Sequence, residues 1–112
     1  MKTRLQEFND VSVLTIEGNI MQEYVSVFQS RIADLIERGK LKIVINMNEA
    51  SYISSLCLAV IVEAQNRTSA GGGGVKIASA NKLITNLLEI TNLNRKIPLF
   101  ETTEAAVAAF GK

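Results

Sequence analysis

Histidine is missing from this 112-residue chain, and cysteine and proline occur once each, as Cys57 and Pro98. Without histidine the chain lacks the commonest metal ligand, the usual general base and the usual charge switch near neutral pH. Cys57 has no histidine to activate it and no second cysteine to pair with, which excludes a Cys/His nucleophile and an intrachain disulfide. Long apolar runs are also missing. No stretch reaches the length of a membrane span, and Met1-Lys2-Thr3-Arg4-Leu5-Gln6 lacks the apolar core of a signal peptide. The expectation is a cytoplasmic protein with no direct membrane insertion. Charge of one sign is scarce too: 12 basic and 11 acidic residues leave a net charge of +1, with no basic run. Two Tyr and four Phe offer little stacking surface, so nucleic acid is not an expected partner. Gly71 to Gly74 lack the G-x-x-x-x-G-K-[ST] spacing of a phosphate loop and precede a strand rather than open a helix. The pairs Glu49/Glu63 and Asp10/Glu17 have nothing around them that organises them as catalytic acids. No metal, no cofactor and no enzymatic activity are expected.

What is present is enough apolar residue, 47%, for one self-sufficient domain over 1–112. Thr3 to Phe8 alternates as a first strand, and Asn9-Asp10 is a turn. Val11 to Ile16 carries β-favouring residues on both faces, as a strand well inside a sheet does, and Gly18-Asn19 ends it. From about Gln22 to Arg38 the period becomes helical, with Val25, Phe28, Ile32, Leu35 and Ile36 on one face and Gly39 just past the end. Leu41 to Asn46 is a β-branched strand with turn residues after it. Ser54 or Ser55 is placed to cap a helix from Leu56 to Ala70. Val75 to Ser79 is a fourth strand. Asn81 caps a helix carrying Leu83, Ile84, Leu87, Leu88 and Ile90. Ile97 to Phe100 is a short strand that Pro98 confines to an edge, and Thr102 or Thr103 caps a last helix through Phe110. The order β-β-α-β-α-β-α-β-α predicts an α/β domain: a mixed, mostly parallel five-stranded sheet with about four helices, mostly on one face. The strands at Ile43 and Val75 should be parallel neighbours, as a βαβ unit requires.

Three segments in register carry a family resemblance. Ile43 to Val60, with Ser51-Tyr52-Ile53-Ser54-Ser55 at its centre, resembles the central block of anti-sigma-factor antagonists, an apolar strand and polar turn followed by V-S-Y-I-D-S-S-G-L-G. Gly73-Gly74-Val75-Lys76-Ile77 is similar to that family's G-G-x-[LV]-x-[LVI] strand. Leu87-Leu88-Glu89-Ile90-Thr91-Asn92-Leu93-Asn94 is similar to its L-L-E-[LI]-T-G-L-[DN] helix end. The resemblance spans nearly the whole chain and identifies it as similar to the anti-sigma-factor antagonist, or STAS, family. It departs from the pattern where the Asp before the acceptor is Ser54, where Leu56 follows the acceptor, where Cys57 and Ala59 replace glycines, and where Met21 replaces an acid after the second strand.

The resemblance implies a protein-binding regulator that works by partner switching. In the family, a partner kinase that is itself the anti-sigma factor phosphorylates the serine after the Asp, and the unphosphorylated antagonist binds that kinase. The matching position is Ser55, with Ser54 the lesser candidate. The implied partner is an anti-sigma factor/serine kinase of the histidine-kinase-like ATPase type, and any ATP would belong to that partner. The partner surface carried over is Met21, Tyr52, Ser54, Ser55, Leu56, Cys57 and Ala59, on a monomer or weak dimer. The alternative is a STAS scaffold without phosphorylation, or a subunit of a signalling or lipid-transport ATPase complex. The residues themselves leave other readings open. Ser55 is also a suitable N-cap, Leu56 and Met21 also suit a core, and Cys57 also suits a small buried apolar position or, at a helix N-terminus, a thiol of lowered pKa.

Overall fold

The computed structural model describes residues 2–111. Five strands, β1 (Lys2–Phe8), β2 (Val11–Ile20), β3 (Lys42–Ile53), β4 (Gly74–Ala78) and β5 (Leu99–Phe100), form one sheet in the order of the chain. β1 is antiparallel to β2, and every other pairing is parallel. Ile43 lies beside Val75, as the βαβ pattern predicts. Four α-helices complete the domain: α1 (Val25–Glu37), α2 (Ser55–Ala70), α3 (Lys82–Ile90) and α4 (Thr103–Phe110).

Because β2, β3, β4 and β5 advance in one direction across the sheet, crossovers of a single hand put α1, α2 and α3 on the same face. That face is the larger core. Leu14, Ile16, Ile43, Ile45, Val75 and Ile77 from the strands meet Phe28, Ile32 and Leu35 of α1, Ile61 of α2, and Ile84 and Leu88 of α3. Truncating a fully buried side chain such as Phe28 costs about 3–5 kcal/mol. α4 follows β5. It covers the other face, where Val11, Val13, Val44 and Ala78 pack with Ala106. Lys76 lies under this helix, its Nζ 4.3 Å from the centre of the Phe110 ring.

The local signals explain most boundaries. Gly39 has φ +78°, its N–H donates to the Ile36 carbonyl, and the Lys40 N–H donates to the Leu35 carbonyl. This is the pair of bonds that ends a helix at a left-handed residue. Asn81 and Thr102 cap α3 and α4 by accepting from the Ile84 and Ala105 N–H groups at 2.9 and 3.0 Å. In the α2–β4 loop a Cβ on Gly73 would sit 1.9 Å from the Leu41 carbonyl oxygen, so only glycine permits that approach.

Two boundaries differ from expectation. β2 does not end at Gly18-Asn19, and β3 does not end at Asn46. Both run on, to Ile20 and Ile53, paired to each other through two register shifts, between Thr15 and Glu17 and between Gly18 and Asn19. The reason is mutual: each extension supplies the other's backbone partners, which a reading of either segment alone does not reveal. The start of the first helix is also tighter than expected, with Gln22–Tyr24 in a 3-10 turn.

Candidate functional site

The site is built at the far ends of these extensions. Ile20 and Ile53 are adjacent in register and fully buried. The Ser54 N–H then donates to the Ile20 carbonyl at 2.9 Å, and the chain enters α2 at Ser55. Ser51 Oγ donates to Asn19 Oδ1 across the same pair of strands. Arg4 spans all three neighbouring strands, reaching Glu17 at 3.1 Å and Glu49 at 2.8 Å. These are exposed ion pairs, worth little individually. A third tether comes from Asn81, whose amide donates to the Ser51 carbonyl at 3.2 Å while its oxygen caps α3. One side chain thus fixes the start of α3 and the approach to α2.

Met21, Tyr52, Ser55, Leu56 and Ala59 are exposed. The large apolar ones among them are open to solvent: Met21 42%, Tyr52 39% and Leu56 48%. Met21 and Leu56 are therefore surface, not core. Ser55 is the first residue of α2, one past the cap position, and no side-chain cap bond is made at this helix end. Its hydroxyl therefore does not serve as a cap. The cap position is held by Ser54, which is half-buried, and its Oγ is buried without a hydrogen-bond partner. Any group attached to Ser55 would lie at the N-terminal end of a 16-residue helix with no acidic residue in its first turn, where unpaired N–H groups and the helix dipole favour negative charge.

Cys57 requires a correction. The family pattern puts it on the partner surface, but it is fully buried and belongs to the core cluster that also holds Leu58 and Ile61. Burial pushes its thiol up to about 12, the reverse of a helix N-terminus lowering it. The side chain is therefore not part of the exposed surface around Ser55. Two exposed apolar residues that the sequence reading passed over, Tyr24 and Val27, follow Met21 into α1. Their signal lies in the Met21–Tyr24–Val27 spacing of three residues, which carries Val27 onto the polar side of α1.

Among the described residues no three His, Cys, Asp or Glu side chains gather where they could hold a metal, and no helix is long and apolar enough to cross a membrane. The clefts lie elsewhere. One runs between α1 and α2, lined by Ile32, Ile36 and Val60. A larger one lies on the α4 side of the sheet.

This arrangement of a five-stranded mixed sheet and four helices is matched by known proteins. The STAS-domain family profile matches residues 2–106. The chain belongs to the STAS-domain family. A protein of Thermotoga neapolitana provisionally named an anti-sigma factor antagonist is 28% identical over 99 residues, covering 88% of both chains. The crystal structure of a provisionally named anti-sigma factor antagonist from Thermotoga maritima superposes with a TM-score of 0.93 at 24% identity, covering 98% of this chain and 95% of that one. The Bacillus cell fate determinant SpoIIAA in its phosphorylated form has the same STAS fold, with a TM-score of 0.75 at 15% identity over 96% of this chain and 98% of that one.

Proposed function

We propose that this STAS domain is an anti-sigma-factor antagonist that works by partner switching. The exposed turn of Met21, Tyr52, Ser55, Leu56 and Ala59 docks an anti-sigma factor of the serine-kinase type, and phosphorylation of Ser55 releases it. The observation that carries this reading is Ser55 itself: an exposed first-turn serine whose hydroxyl does not cap the helix. A phosphate on it adds close to two negative charges to a surface made mainly of apolar side chains, which opposes docking, while the N-terminus of α2 accepts that charge without loss of the fold. The test compares Ser55→Asp with Ser55→Ala for affinity to the kinase, together with intact-mass analysis after incubation with kinase and ATP. The proposal expects a gain of one phosphate that Ser55→Ala abolishes, at least tenfold weaker binding for Ser55→Asp, and unchanged binding for Ser55→Ala.

A second reading rests on Ser54, Leu56 and Met21, where polar or acidic groups would suit a kinase better. A permanent scaffold subunit would use the same apolar surface without a charge switch. Equal binding by both Ser55 variants, with no phosphate gained, selects it.

A further inference from the structure

The two edges of the sheet are not alike. β5 is two residues long, whereas β1 runs for seven and pairs along its whole length with β2 on one side only. Its outer N–H and C=O groups form an open template for another strand. The covering helices leave it largely open. Every residue of β1 except Thr3 is exposed, including Leu5 at 45% and Phe8 at 44%. Clefts open beside it on both faces, about 230 Å³ against α1 next to Thr3 and Leu5, and about 480 Å³ against α4 next to Gln6 and Phe8.

We infer that β1 is a homodimer interface, pairing antiparallel with β1 of a second copy about a two-fold axis at Leu5. In such a pair, facing residues share a sheet face, so their numbers must sum to an even value. An axis at Arg4 would set Arg4 against Arg4. An axis at Gln6 would set Leu5 against Glu7 and Arg4 against Phe8. An axis at Leu5 sets Leu5 against Leu5, Thr3 against Glu7, Arg4 against Gln6 and Lys2 against Phe8. Of the three, this register alone opposes no like charges and no aliphatic side chain to a charged one. It also brings the Lys2 ammonium of the second copy over the Phe8 ring, in a cleft that Glu104 lines. The result is a continuous ten-stranded sheet. Because the two copies run in opposite directions, their Ser55 turns lie at opposite ends, and both stay free. This inference does not depend on the partner-switching reading.

A seven-residue edge buries little area, so the dimer is weak. Its mass by sedimentation equilibrium should rise from one chain toward two between about 10 µM and about 1 mM. Leu5→Lys places two ammonium groups across the axis and should hold the mass at one chain throughout, with the circular dichroism spectrum unchanged. Leu5→Cys, in a chain whose single native cysteine is buried, should give a covalent dimer on oxidation with copper-phenanthroline. A mixture of Thr3→Cys and Glu7→Cys chains should crosslink to each other, whereas Thr3→Cys alone should not. A mass of one chain at about 1 mM overturns the inference. So does a dimer that Leu5→Lys leaves intact, or Thr3→Cys crosslinking to itself.

Discussion

The Ser54 amide donates to the Ile20 carbonyl at 2.9 Å, so the last backbone bond of the β2–β3 ladder is also the hinge on which α2 begins. That bond sets Met21 and Ser55 on the same rim, although 34 positions separate them in sequence. It also leaves the Ser54 side chain turned inward, its oxygen buried and unpaired.

Ser54→Ala is therefore expected to behave unlike an ordinary loss of a cap. Replacing a capping serine by alanine costs about 1 kcal/mol, but here there is no cap bond to lose. Removing a buried hydroxyl without a partner relieves a desolvation cost instead. Urea denaturation should give a stability equal to or slightly above that of the parent, within about 1 kcal/mol. A loss of 1 kcal/mol or more would mean the hydroxyl does cap α2.

Asn81→Ala should lose stability by about 1–2 kcal/mol, because the side chain caps α3 and also holds the carbonyls of the β3 extension. Asn81→Asp keeps the cap and loses the amide donor. Comparing the two melting temperatures separates the roles: recovery by Asp would confine the effect to the cap.

Cys57 should resist thiol reagents at pH 8 in the folded protein and react at once in urea, since burial keeps the thiol protonated. The sign of its pH dependence follows. The neutral thiol is favoured in the fold, with its pKa raised from 9.0 to about 12, so its contribution is fully present below pH 9. It is lost as pH rises from there to about 12, where the unfolded chain binds fewer protons. Cys57→Ala should flatten that alkaline decline. Rapid labelling of the native protein at pH 8 would contradict the burial.

The sequence made the element order legible, because the change from a period of two to a helical period is sharp at Val25, Leu56 and Leu83, and because Asn81 and Gly39 punctuate it. It also put Ser55 in register. It did not show that β3 continues to Ile53. Asn48-Glu49 looks like a turn when read alone, and the strand persists only because β2 supplies a shifted partner. It did not separate Ser54 from Ser55 as cap, since both satisfy the same preference and a shift of one residue decides. It misplaced Cys57, because a glycine-to-cysteine change at a family position carries no information about which way the side chain turns. The stripe Met21–Tyr24–Val27 was overlooked because exposed apolar residues share the alphabet of the core.

The order of the strands has a consequence for how the molecule is made. Since each strand pairs with its neighbours in sequence, the sheet can grow in step with synthesis, without waiting for a distant partner. The exception is α4, which follows all five strands in sequence yet covers Val11 and Val13 of β2. Until it arrives, a strip of valine from β2 and β3 faces water on a nearly finished sheet. Chains truncated before Thr102 would leave that strip bare and are expected to aggregate more readily than chains that carry α4.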